Sequence, residues 1–188
     1  MRKRVVIPAL LLVAVIAVSV GLYLFQPWRI FTSSTVIEDL PAAATPAVEP
    51  TTEPTEPAAP SAAPSAVAPV AAPRERAIGQ LISHEHASSG TARILELPDG
   101  SRILRLEGLD TSDGPDLQVW LTDAPVIEGT AGWYVFDDGA YLDLGALKAN
   151  KGDQNYEIPA AAELGDYSSV SIWCARFAVS FAAAELNT

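Results

Sequence analysis

Nine prolines fall between Pro41 and Pro73, and almost every other residue in that stretch is Ala, Thr, Ser, Val or Glu. The stretch has no aromatic side chain to seed a core, each proline removes a backbone donor, and the composition favours extended polyproline II over packing. The segment therefore splits the chain: an apolar run lies before it, and an ordinary globular composition begins at about residue 74. At about 3.1 Å per residue the Pro/Ala-rich stretch reaches on the order of 100 Å when fully extended. It is read as a disordered stalk over 26–73 whose role is reach, and its Thr and Ser are compatible with sugar attachment.

Residues 5–25 carry no charge. At about 1.5 Å of rise per residue they make a helix roughly 30 Å long, the thickness of a bilayer core. Arg2, Lys3 and Arg4 precede the run and only Arg29 follows closely. This bias places residues 1–4 in the cytoplasm and everything after Trp28 outside, with Tyr23 and Trp28 suited to the outer interface. The expected arrangement is a single-pass signal anchor in the cell membrane. A cleaved signal peptide competes, since Ala17-Val18-Ser19 has the small residues a peptidase needs. The apolar run continues through Phe25, well beyond the ~7 to 15 residues of a signal-peptide core, which favours the anchor.

From residue 74 onward the formal charge is −10 of the chain's −11. Nucleic acid is not an expected partner, because a phosphate backbone is bound by clustered cations and here eight Lys and Arg are scattered among eighteen Asp and Glu.

The texture beyond Gln80 is short apolar runs separated by Gly, Asp, Asn and Pro, the pattern of an all-β fold of β-sandwich type. Segments 91–97 and 101–109 flank Pro98-Asp99-Gly100, a hairpin signal because proline presets one turn residue and glycine supplies a positive φ. Further strands are expected over 117–121, 132–136, 141–144 and 155–158. Only 160–164 and 144–148 look helical. The outer domain, 74–188, is long enough for one core.

In Ser169-Val170-Ser171-Ile172-Trp173-Cys174 the even positions are apolar, so Val170, Ile172 and Cys174 should share a buried face. Phe177, Val179 and Phe181 then alternate in the odd phase, which requires a β-bulge or a strand break around Ala175 and Arg176. Cys174 is the sole cysteine, so no disulfide forms within the monomer. It is either a small buried hydrophobe or a thiol poised for redox or metal chemistry, the latter needing partial exposure and a nearby cation such as Arg176.

His84-Glu85-His86 places two imidazoles on one side of an extended segment, a weak metal pair that Cys174 could complete toward a copper-type ligand set. Against copper, no His or Met follows Cys174, and the bland alternative for His84 is a solvated loop entering the first strand. Asp110, Asp113 and Asp116 surround Gly114-Pro115 without the spacing of a calcium loop, and turn chemistry accounts for them. Hydrolase, nucleotide-binding and zinc-protease motifs are lacking.

Together these residues resemble the electron-transfer DM-thirteen domain family, which accompanies DOMON domains and haem-containing membrane cytochromes. The resemblance runs from about residue 79 to 186. It comprises His86-x-x-Ser89-Gly90, Gly114-Pro115-Asp116-Leu117 with Val119-Trp120-Leu121, and Leu142-x-Leu144-Gly145-x-Leu147-Lys148. It continues through Asn150-x-Gly152-x-Gln154-Asn155-Tyr156-x-Ile158-Pro159 and Val170-x-Ile172-Trp173-Cys174-x-x-Phe177-x-Val179-x-Phe181. Gly108-Leu109 and Ala182-Ala183-Ala184-Glu185 depart from the family's pattern.

The resemblance implies a β-sandwich in which Cys174 is the redox residue, His86 is the motif histidine, and His84 has no counterpart. It also implies a redox partner protein or a haem protein. Two functions follow as expectations. One is an electron-transfer or thiol-redox module centred on Cys174, with metal or haem ligation by Cys174 and His86 as a variant and no cofactor identified. The other is a non-catalytic envelope interaction module in which Cys174 is core packing.

Overall fold

The computed structural model describes residues 2–28, 32–41 and 72–188. The expectation of an extended stalk falls largely on 42–71, outside the described residues. The chain begins with helix α1 (Arg2–Phe25), whose described side chains are Ile7 and those of 10–25. Among the described residues no helix is long and apolar enough to cross a membrane. A span needs about 20 consecutive apolar residues, more than that described portion contains.

Among the described residues ten strands follow: β1 (Thr35–Ile37), β2 (Arg74–Gln80), β3 (Ile82–Ser83), β4 (Ser89–Glu96), β5 (Arg102–Asp110), β6 (Leu117–Thr122), β7 (Tyr141–Ala146), β8 (Lys151–Ile158), β9 (Ser169–Cys174) and β10 (Val179–Glu185). They form two five-stranded sheets ordered β1-β8-β5-β4-β2 and β3-β10-β9-β6-β7. The domain is thus an all-β sandwich. Alternation along the strands gives each sheet an apolar inner face. Ala92, Ile94, Leu104, Leu106 and Tyr156 of the first sheet meet Val119, Leu121, Val170, Ile172 and Cys174 of the second in one core.

The expected hairpin is present. Gly100 has φ 85°, its amide donates to the Leu97 carbonyl at 2.9 Å, and Asp99 accepts from the Ser101 amide and hydroxyl at 2.9 and 2.6 Å. The first sheet turns a polar face outward, where Arg105 lies 2.9 Å and Arg93 2.8 Å from Glu107, and Arg76 lies 2.8 Å from Glu96.

The second sheet is buried on both faces, since residues 123–140 fold over its outer side. Phe136, Ala124, Val126 and Val135 pack there on Trp120, Trp173 and Ala183. This corrects the strand expected over 132–136: Thr130–Gly132 is a 3-10 turn and the residues after it are a cover rather than a strand. A Cβ at Gly132 would collide with the Ile127 carbonyl, so this turn closes tightly. Two other expectations also change. Residues 144–148 are not helical: 144–146 complete β7, with Gly145 at φ 110°, and 147–148 leave it, while 160–164 give way to a 3-10 turn at Leu164–Asp166.

The other correction concerns the expected stalk boundary, because β1 lies inside 26–73 and pairs in parallel with β8, Thr35 opposite Lys151 and Ile37 opposite Asp153. Gly152, at φ 101°, admits it: a Cβ there would strike the Val36 carbonyl. Lys148 Nζ donates to both Glu38 carboxylate oxygens at 2.8 Å, Ser34 N donates to Asn150 Oδ1 at 2.7 Å, and Asn155 Nδ2 donates to the Asp39 carbonyl at 2.8 Å. A three-residue run of β-branched side chains next to a Pro-rich segment is too short to announce a strand, which is why sequence periodicity missed it.

Candidate functional site

Cys174 is the last residue of β9, registered between Leu117 of β6 and Val179 of β10. Its alternation with Val170 and Ile172 directs it into the core as expected, and its exposure is 0%. The break after it is a four-residue hairpin turn over 175–178 that joins β9 to β10, with Ala178 at φ 50°. A bulge then shifts the register between Ser180 and Ala182, so Val179 and Phe181 as well as Ala182 and Ala184 reach the same core. The strand break is where the alternation placed it, and the bulge lies five residues later.

Burial raises the Cys174 thiol above its ordinary pKa, while the backbone N–H groups of Phe177 and Arg176 lower it and the charges of Asp116 and Glu85 raise it further. Desolvation dominates, so the resting sulfur is a protonated thiol. Arg176 does not serve as its cation; Arg176 Nη1 donates to the Leu24 carbonyl at 2.6 Å.

Outside the turn is a cleft of about 100 Å³ whose walls include Phe25, Glu85, His86, Asp113, Phe177 and Phe181. The His86 ring packs at a tilt against Phe181 with centroids 4.0 Å apart, and its Nε2 lies 3.7 Å from Glu85 Oε2. Phe177 is 44% exposed. Cys174 does not line this cleft, so His86 and Cys174 share no void in which a haem or metal would meet both. A neighbouring polar cleft of about 280 Å³ is bounded by Ser34, Asp113, Asp116, Lys148 and Asn150. His86, Gly114-Pro115-Asp116, Lys148, Asn150 and Cys174, dispersed in sequence, are thereby gathered at one end of the sandwich.

The paired histidines separate. His84 is 7% exposed, its Nδ1 lies 2.9 Å from Ser180 Oγ, and its ring is 5.7 Å from Phe136. Ser180 Oγ receives a further hydrogen bond from Ser171 Oγ at 3.0 Å on that outer face. The solvated-loop reading of His84 is therefore wrong, because the 123–140 cover buries it. The metal pair does not form either, as His84 points to the outer face and His86 to the core side. Among the described residues no group of three or more His, Cys, Asp and Glu could hold a metal ion. The three aspartates have separate partners: Lys151 for Asp110, Thr32 at 2.6 Å for Asp113 and Gln118 at 2.8 Å for Asp116.

Burial holds the His84 pKa below the ordinary range. The unfolded chain takes up a proton at about pH 6.5 and the folded chain only at lower pH, so stability falls as pH drops through the unfolded value. Urea midpoints at pH 7 and 5 should show the loss, and His84→Gln should reduce it. The alkaline side behaves oppositely. Tyr156 is pushed up to about 12 by burial and Cys174 is raised, so the unfolded state ionises first and stability falls above about pH 8.5. Cys174→Ala should flatten the beginning of that decline, measured by urea midpoints between pH 8 and 10.

Sequence reasoning did not find the stack of rings under the cover. Tyr141 lies on Trp120 at 4.0 Å and Trp120 on Trp173 at 5.2 Å, linking an exposed tyrosine to the residue before Cys174. Its signal was the paired tryptophans at 120 and 173, on strands that turned out to be neighbours.

Compared with known families, the chain matches the model of one described as "Electron transfer DM13" over residues 80–186, more than half its length. Neither the curated proteins nor the solved structures contain a match.

Proposed function

We propose, since the chain belongs to the electron transfer DM13 family, that it is an electron-transfer module held at a membrane and that Cys174 is its gated redox thiol. The observation that carries the thiol reading is the position of Cys174 at the last residue of β9, directly before the 175–178 turn, whose Phe177 amide donates to the Cys174 carbonyl at 3.2 Å and whose Arg176 and Phe177 N–H groups favour the thiolate against the burial that disfavours it. With the turn closed, desolvation keeps the proton on; opening it rehydrates the sulfur and removes that penalty on the thiolate.

The exchange balances with a disulfide-bearing partner. The Cys174 thiolate attacks one partner sulfur, a mixed disulfide forms, the partner's S–S bond breaks, and the departing thiolate takes up the proton Cys174 released. No second cysteine is present in this sequence, so the resolving thiol comes from the partner.

Membrane attachment is supported by the uncharged run 5–25 behind Arg2, Lys3 and Arg4. The apolar side chains of α1 before its last turn also lack protein cover, with Leu10, Val15 and Val18 each more than 60% exposed. The same charge bias supports a location of the domain outside the cell.

Full-length protein incubated with glutathione disulfide under native conditions should acquire one glutathionyl adduct on Cys174, removable by reductant. A protein that acquires it only in denaturant is the non-catalytic interaction module instead. That second reading is favoured by the 0% exposure of Cys174 and its place among aliphatic core residues.

A further inference from the structure

The two ends of the sandwich differ in how the chain reaches them. At the Cys174 end, Phe25 of α1 stacks on Phe177 with centroids 5.9 Å apart, and Arg176 supplies a donor to the Leu24 carbonyl, one of the last-turn groups a helix leaves unpaired. Thr32 Oγ1 donates to Asp113 at 2.6 Å, and β1 enters the sheet at Thr35 opposite Lys151. Only nine residues, 26–34, separate Phe25 from Thr35. Even fully extended they span no more than about 35 Å.

From Thr35 the chain runs away from α1. β1 is parallel to β8, and Asp39 is held by Asn155, so the Pro/Ala-rich segment departs from the half of the sheet opposite Cys174. It returns at Arg74, which pairs with Glu96 beside the Pro98-Asp99-Gly100 turn, at that same far end. β1 and β2 are the two edges of one sheet. Four strand spacings of about 4.8 Å separate them by roughly 19 Å, a fraction of what the intervening residues could cover.

We infer that the Pro/Ala-rich segment is a connection between the two edges of one sheet at the membrane-distal end and not a tether. The Cys174 end then faces the membrane that α1 enters, and its redox partner is itself embedded in that membrane. This rests on the membrane attachment proposed above. Reach is set by residues 26–34, so the cleft at His86 and Phe177 stays within a few nanometres of the bilayer. A soluble carrier would approach the opposite end first, where Glu163 and the 98–100 turn lie.

The test uses the full chain in lipid vesicles carrying an acceptor dye on the headgroups, with a donor on Ala87→Cys at the Cys174 end or Glu163→Cys at the far end. The parent chain controls for labelling of buried Cys174. Both positions are exposed. Transfer from position 87 should exceed that from 163 by at least about twofold, since strands of this length at about 3.3 Å per residue put the ends some 25 Å apart. Excising 44–70 should leave both signals unchanged.

Equal transfer from the two positions, or a rise of both on excision, overturns the inference while leaving membrane attachment standing. Release of the chain from vesicles by alkaline carbonate overturns the membrane reading and this inference with it. A further variant, Gly152→Val, should expel β1, lengthen the tether and lower both signals. Unchanged signals in that variant would show that β1 does not set the height.

Discussion

Replacing Trp173 by alanine is expected to lower the unfolding free energy by about 3–5 kcal/mol, the range for deleting a large buried ring. The indole is 1% exposed and sits between Trp120 at 5.2 Å and Phe136 at 6.4 Å, beneath the 123–140 cover. The cover has no strand pairing of its own, so its position depends on this packing. Losing the ring leaves a cavity the neighbouring strands cannot close, because β9 is hydrogen-bonded on both sides. Urea denaturation monitored by circular dichroism measures the change. A loss below about 1 kcal/mol would mean that the cover is not part of the cooperative unit.

Gly152→Val is the second large effect, at about 1–3 kcal/mol, from forcing a β-branched residue into a positive φ. Position 152 has φ 101° and Val36 lies against it, so the variant loses β1 as well as its backbone ease. The consequence is regional. The Lys148–Glu38 ion pair and the Arg105 donation to the Glu38 carbonyl at 2.9 Å are lost, while the hairpin of β9 and β10 is untouched. Hydrogen exchange should show faster exchange at residues 35–38 and 151–155 with unchanged protection at 170–174. Uniform loss across both sheets would contradict the view that β1 is an added edge.

How much of this was legible in the sequence depended on the range of the interactions. The turn at 98–100 and the inward face of Val170, Ile172 and Cys174 were readable because proline, glycine and strict alternation act over a few residues. The burial of the odd positions of β9 was not. Ser169 and Ser171 look like a solvent face, yet each is 0% exposed because a loop forty residues away folds over them. That same loop turned an apparent strand at 132–136 into a cover and an apparently solvated His84 into a buried one.

The candidate site was legible in part. The family motif marked Cys174 and His86, but nothing in the spacing showed that Phe181 would take up the imidazole and leave the thiol in the core. β1 was invisible for a related reason: its partner lies more than a hundred residues away, and Gly152, which admits it, reads in isolation as an ordinary turn residue.

Cys174 can act as a redox thiol only if the 175–178 turn opens without the rest of the domain. The direct measurement is the rate at which Cys174 of the full-length protein is modified by a disulfide reagent as urea is raised from zero to below the unfolding transition. A local opening exposes little surface, so the rate should stay nearly flat until global unfolding takes over. A rate that climbs from the first addition of urea with the slope of global unfolding would mean that the thiol is reached only when the sandwich comes apart, and Cys174 would then be packing.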